Sequence, residues 1–244
     1  MEASARGDTG APRALLFDVF GTVVDWRGAI VDELRAMGTA RQVTADWEKI
    51  ADAWRRRYQP IRDRVNDGRR PWADLDELHR DTLDETLAEH GVGAFDAADR
   101  ERLVGAWHRL RAWPDARAGL ALLRRNHILA TLSNGHVALL IDLARHNGLE
   151  FDTILSAELA GRYKPDPATY LRAVALLGLT PPDVTMVAAH PGDLRAAREC
   201  GLGTAYVHRP LEHGAGRASP PPRAGATDIR AEDLVDLAGR LAPA

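Results

Sequence analysis

Short apolar runs alternate with helix-period segments from about Asp115 onward. The runs are Ile128–Leu132, Thr153–Leu155, Val184–Ala188 and Thr204–Val207, and helical patterns cover 116–125, 136–147, 167–177 and 193–200. Ala14–Phe17, near the N-terminus, is a further buried-strand candidate. Strands spaced by helices imply right-handed βαβ units, and uniformly apolar strands imply a sheet covered on both faces. The expected fold class is therefore α/β, a doubly wound parallel sheet. In such a sheet ligands bind at the carboxyl ends of the strands, so the informative residues are those that follow each run.

A long block, Trp26 to Trp113, separates the first run from the rest and contains no convincing strand. Its pattern is helical: Trp47, Ile50, Ala51 and Trp54 share one face. A crossover of that length is uncommon unless it forms a unit of its own. The simplest organisation is a flexible N-terminus at 1–12, a core domain from 13–25 and 114–244, and an inserted helical cap domain at 26–113. Extra helices packed directly on the sheet are the alternative. Toward the C-terminus, Pro210 to Gly225 is rich in Gly, Pro and Arg and reads as an exposed loop. Ala226–Ile229 then suggests a short edge strand and Ala231 to Leu241 a last helix.

Composition narrows the function classes. A net charge of −3 over 244 residues offers no reason to expect nucleic acid or an anionic membrane as partner. The single cysteine, Cys200, excludes an intrachain disulfide and reads as a packed helix residue. Residues 1–12 lack the apolar stretch of a signal peptide, and nothing approaches the roughly 20 apolar residues of a membrane span. A cytoplasmic location is expected.

Four polar sets follow the runs: Asp18–Thr22, Ser133-Asn134-Gly135, Tyr163–Pro167 and His190–Asp193. Each has a bland explanation. Asp18 could cap a helix, and Ser133 and Asn134 suit the start of the helix that follows. Asp166-Pro167 has the form of an N-cap followed by an N1 proline, and Lys164 alone could be a solvated lysine. Four such sets at one edge of one sheet, in this order, are much harder to dismiss.

This ordered set resembles the haloacid dehalogenase-like superfamily, over nearly the whole chain after residue 12. Its first motif, an Asp nucleophile followed by Gly-Thr, reads here Asp18-Val19-Phe20-Gly21-Thr22; Ser133 matches the second motif, Lys164 the third and Asp193 the fourth. The resemblance implies a Rossmann-like core with a cap. Phosphatases of the superfamily place a second Asp two residues after the nucleophile and hold Mg²⁺ with an acidic cluster. Here Phe20 and Ala189 stand where those carboxylates would be. Phe20 donates no proton, and Mg²⁺ needs hard oxygen ligands in near-octahedral array.

The pattern instead resembles the L-2-haloacid dehalogenases, whose halide leaves without acid or metal. That resemblance implies a hydrolase acting on carbon–halide bonds, an (S)-2-haloacid or haloacetate dehalogenase, with no cofactor. Asp18 would attack C2 of a short 2-haloacid and water would hydrolyse the ester. It further implies Arg55 of Trp54-Arg55 as halide acceptor with Asn134, Ser133 at the substrate carboxylate, and Lys164 and Thr22 holding Asp18. Asp193 would position Lys164 or the hydrolytic water, and Tyr170 matches a family tyrosine. Arg55, Arg56 and Arg57 could equally form a solvated face. Phe20, Trp26, Trp54 and Tyr58 are candidate apolar walls or core. Ala188-Ala189-His190 resembles a branch that includes fluoroacetate-defluorinating enzymes, with His190 either a polar pocket residue or a turn stabiliser. Relatives are often homodimers. A Mg²⁺-dependent phosphatase and a non-catalytic binding protein on the same scaffold are the alternatives.

Overall fold

A computed structural model describes residues 11–242, so most of the expected flexible N-terminus lies outside the described residues. The strands are β1 (Ala14–Phe17), β2 (Val24–Asp25), β3 (Arg111–Ala112), β4 (Ile128–Ser133), β5 (Thr153–Ser156), β6 (Val184–Ala188), β7 (Gly203–Val207) and β8 (Ile229–Ala231). Six of them form one sheet in the order β5-β4-β1-β6-β7-β8, every neighbouring pair parallel. In register, Phe17 lies opposite Thr131 on one side and Val187 on the other. The residues just beyond β1, β4 and β6 therefore emerge at the same edge.

Helices α1 (Trp26–Ala40), α2 (Trp47–Asn66), α3 (Leu75–Glu89) and α4 (Ala97–Ala106) fill the insertion. The remaining five, α5 (Ala116–Leu123), α6 (Val137–Asn147), α7 (Pro167–Leu176), α8 (Pro191–Glu199) and α9 (Leu234–Arg240), alternate with the sheet strands. Side chains alternate across β1: Leu15 and Phe17 join one apolar cluster, Ala14 and Leu16 the other. The first cluster runs without a break from the sheet into the insertion, including Trp26, Trp54 and Trp107. Trp54 and Trp107 are fully buried, each stabilising the fold by roughly 2–3 kcal/mol through burial alone. The second cluster packs α7 and α8 on the opposite face.

Several expectations shift in detail. A short stem, β2 antiparallel to β3, closes the two ends of the insertion, although two-residue strands carry no readable periodicity. The last strand spans Ile229–Ala231 rather than Ala226–Ile229, and the last helix begins at Leu234. Asp228 explains the delay, because its carboxylate accepts from the Thr204 backbone N–H at 2.8 Å instead of leaving the segment free to pair. Cys200 is half-buried at the C-cap of α8, and burial pushes its thiol up, so it is not a poised thiolate. The loop expected to be exposed over Pro210–Gly225 is largely so, with one correction: Glu212 is buried. Among the described residues, no helix is long and apolar enough to cross a membrane.

Candidate active site

β1 ends at Phe17, and Asp18 anchors its own backbone by donating N–H to the Val187 carbonyl of β6 at 3.0 Å. Its carboxylate is then fixed by three donors. Lys164 Nζ donates to Oδ1 at 2.9 Å, while Thr22 Oγ1 and His190 Nδ1 reach Oδ2 at 2.7 and 2.9 Å. Thr22 can reach back because Gly21 turns the chain through φ +85°, and its hydroxyl also accepts from the Ala189 N–H at 2.9 Å. Loop and β6 end are thereby locked together.

A second layer holds the donors. Lys164 also donates to Asp193 Oδ2 at 2.6 Å, and Tyr170 donates its hydroxyl to Asp193 Oδ1 at 2.5 Å. Asn134 pins the Lys164 backbone, accepting from its N–H at 2.8 Å. His190 gives its other ring nitrogen to Glu212 Oε1 at 2.9 Å, and Trp26 Nε1–H donates to that same oxygen at 3.2 Å. Glu212 comes so close to Gly21 that a β-carbon there would lie 2.2 Å from Oε1. Only glycine leaves room for it.

The charges follow from these contacts. Burial would raise the Asp18 pKa, but the Lys164 and His190 cations outweigh it and hold the carboxyl well below the usual range. Burial likewise opposes charge on Lys164, yet the carboxylates of Asp18 and Asp193 keep it protonated and raise its pKa. His190 faces a carboxylate at each ring nitrogen, so both must donate and the ring is an imidazolium. Against the effect of burial, those two bonds push its pKa up to about 10. Glu212 is held below its ordinary value by His190 in spite of burial.

The carboxylate opens on a cavity of about 590 Å³ lined by Asp18, Phe20, Arg55, Tyr58, Asn134, Lys164, Tyr170, His190 and Asp193, among others. Arg55 enters it from α2, its guanidinium 5.3 Å from the Trp26 ring centre and 4.9 Å from that of Tyr58. Arg57 turns the other way and pairs with Glu85 and Glu89 of α3, while Arg56 is exposed. The three consecutive arginines thus have three different surroundings.

Nine of the ten expected site residues gather here or directly behind: Asp18, Phe20, Thr22, Arg55, Asn134, Lys164, Tyr170, His190 and Asp193. Ser133 does not reach the cavity. It is fully buried and accepts from the Gly135 N–H at 3.2 Å, which shapes the turn after β4. Trp26 and Trp54 back the cavity without lining it, Trp54 donating to the His79 carbonyl at 3.0 Å. Asp166 caps α7 ahead of Pro167, as its sequence suggests. Glu212 escapes sequence reading: it sits in a Gly- and Pro-rich loop with no periodicity, and only its pairing with His190 marks it.

A family model described as haloacid dehalogenase-like hydrolase matches residues 12–201. An (S)-2-haloacid dehalogenase, 4A of Burkholderia cepacia, is 32% identical over 81% of this chain and 83% of its own. A solved L-2-haloacid dehalogenase is 46% identical with a TM-score of 0.89, covering 95% of this chain and 100% of that one. A defluorinating L-2-haloacid dehalogenase is 41% identical with a TM-score of 0.91, covering 96% and 98%. Phosphatases stand among its more distant relatives. With a family model matching most of its length, these relatives and this fold around the buried Asp18 carboxylate, the chain is a member of the haloacid dehalogenase-like hydrolases.

Proposed function

We propose that the chain hydrolyses short 2-haloalkanoic acids, namely haloacetates including fluoroacetate and L-2-halopropionates, to 2-hydroxy acids through an ester on Asp18. The observation that carries this reading is the Asp18 carboxylate itself: buried, ionised, held by two cations and a hydroxyl, and facing a cavity with Arg55 in its wall. The relatives named for dehalogenation support the choice of substrate.

Asp18 attacks C2 from the face opposite the halogen, and the halide departs toward Arg55 and Asn134. No proton donor is required for that departure, which suits Phe20 two residues after the nucleophile. Lys164, steadied by Asp193, Tyr170 and Asn134, keeps Asp18 ionised and aimed. Ser133, at the turn after β4 and next to Asn134 in sequence, would on this reading serve the substrate carboxylate. Helices of the 26–113 insertion act as a cap that brings Arg55, Tyr58 and their aromatic backing over the nucleophile and excludes bulk water.

A Mg²⁺-dependent phosphatase fits these residues poorly. Asp18 Oδ2 is taken by Thr22 and His190 and Oδ1 accepts from Lys164, Asp193 is engaged by Lys164 and Tyr170, and Glu212 by His190. A divalent ion would find at most the one open lone pair of Asp18 Oδ1, beside the Lys164 and His190 cations, where it needs several hard oxygens. The test is halide release from chloroacetate, fluoroacetate and both enantiomers of 2-chloropropionate in EDTA. Wild type should release halide and Asp18→Asn should not. The proposal falls if wild type releases none, or if Asp18→Asn matches wild type as a pure binding protein would allow. Mg²⁺-dependent p-nitrophenyl phosphate hydrolysis in place of halide release would install the phosphatase.

A further inference from the structure

His190 and Glu212 add a second cation and its buried partner beside an Asp18 carboxylate that Lys164 already contacts. Their geometry fits the second half of the reaction. Each carboxylate oxygen carries two in-plane lone pairs. Oδ1 accepts from Lys164 alone and keeps one free, whereas Oδ2 accepts from both Thr22 and His190. Oδ1 is therefore the oxygen with a lone pair to give to carbon. Once it does so, Oδ2 becomes the carbonyl oxygen of the ester, with a hydroxyl 2.7 Å away and a ring N–H 2.9 Å away. Those are the distances at which donors stabilise a developing oxyanion.

Resting on the dehalogenase reading, we propose that His190 is a catalytic residue for ester hydrolysis: with Thr22 it forms the oxyanion site at Oδ2 of Asp18, and Glu212 is the positioning residue that keeps it cationic. In the first step Oδ1 forms a bond to C2 and the C2–halogen bond breaks, the halide taking the electron pair. Water then bonds to Cγ, and the carbonyl electrons move onto Oδ2, where the imidazolium and Thr22 receive the charge. Collapse breaks the bond between Oδ1 and Cγ, and water has supplied OH to Cγ and H to the departing hydroxy acid, which carries Oδ1 away. The carboxylic acid left behind ionises, and its proton is the one the overall reaction gives to solvent. His190 stays protonated throughout.

The surroundings of His190 favour that constancy. Esterification removes the charge of Asp18, leaving Glu212 as the carboxylate in contact with the ring, with Lys164 and His213 the nearby basic groups acting through Asp18 and Glu212. Glu212 is buried and also receives the Trp26 N–H, so its carboxylate is fixed in place. The His190 side chain keeps 35% of its exposure, toward the cavity from which water must come.

The experiment is rapid-quench turnover of chloroacetate, following chloride release and, by intact mass, the ester on Asp18, across pH 6 to 10. His190→Ala should give a burst approaching one chloride per active site, an accumulated ester, and hydrolysis slower by about a hundredfold or more. In wild type, ester hydrolysis should lose its imidazolium assistance as pH rises. Glu212→Gln should move that falling limb to lower pH, because the ring has lost its remaining anion. His190→Asn, whose amide keeps an N–H donor near the Nδ1 position, should recover part of the rate and guards against a folding defect in the alanine variant. An absent burst with wild-type hydrolysis, equal slowing of chloride release and hydrolysis, or an unmoved limb in Glu212→Gln would overturn the proposal. So would hydrolysis that rises with pH through the same group, which would make His190 a general base. Failure of wild type to release chloride at all would instead strike the dehalogenase reading beneath it.

Discussion

Replacing Lys164 by Met tests the centre of the site, because it removes one cation from between two buried carboxylates while keeping the length of the side chain. Lys164 is 6% exposed and lies 2.9 Å from Asp18 and 2.6 Å from Asp193. Breaking a buried pair leaves charge uncompensated and costs about 3–5 kcal/mol. For a chain of this size each kcal/mol lowers Tm by about 2–4 °C, so a fall of about 6–20 °C is expected. Asp193→Asn in the same molecule removes the stranded charge and should restore part of that loss, a coupling read directly in a double-mutant cycle. The acid limb supplies a second check. Asp18 has a folded pKa below its ordinary value of 3.8, so its contribution to stability is present above that pH and is lost as pH falls below it. Without Lys164 the depression is smaller, so less is lost in acid and the Tm gap between wild type and variant should narrow below about pH 4. Thermal unfolding by circular dichroism reads all three. A fall under 2 °C, or single-variant losses that merely add, would refute the claim that Lys164 is held by both carboxylates.

Two further substitutions probe the walls. Arg55→Lys keeps the charge but loses the planar group that lies over Trp26 and Tyr58, and kcat/KM for chloroacetate should fall about tenfold to a hundredfold, or roughly 1.4–2.8 kcal/mol. Arg57→Ala should leave turnover unchanged and alter stability by less than about 1 kcal/mol, because its partners Glu85 and Glu89 are mostly exposed. If the two variants behave alike, the orientation of α2 is wrong. Gly21→Ala combines a positive φ with a β-carbon 2.2 Å from Glu212, and should both lower Tm and slow ester hydrolysis more than halide release. A variant with normal Tm and unchanged kinetics would refute the close approach of Glu212.

Much of this was legible in the sequence because parallel strands and N-capped helices are local patterns. Each apolar run became a strand of the main sheet, and the polar residues after them, Asp18, Asn134, Lys164 and His190, converged because the sheet aligns the strand ends. Ser133 stands apart from them: it is the last residue of β4, fully buried, and does not line the cavity. Arg209 and Asp115 form a half-buried pair, bidentate at 2.7 and 2.8 Å, that ties the loop after β7 to the start of α5. Neither has any sequence mark, since their partnership spans most of the core. Glu212 is the same case with a functional consequence. A carboxylate in a Gly- and Pro-rich loop looks solvated, and partners 22 and 186 residues away, His190 and Trp26, hold it out of water.

The balance of charge explains why this site suits carbon rather than phosphorus as the point of attack. Asp18, Asp193 and Glu212 are paired with Lys164 and His190, while Arg55, Arg62, Arg195 and Glu199 also line the cavity. A haloacid brings one negative charge, and displacement only moves another from Asp18 to the departing halide, so the total in the cavity does not change as the bond forms. No cation has to be recruited during the reaction, and the two that grip Asp18 remain free to serve the ester. A phosphate monoester would bring up to two negative charges beside an ionised nucleophile whose neutralising partners are already committed. Phe20, where an acid could protonate an alkoxide leaving group, adds nothing to help it. The same residues that make phosphoryl transfer costly here, Lys164 and His190 in direct contact with Asp18, are the ones that prepare the carboxylate for a substrate whose leaving group departs as a stable anion.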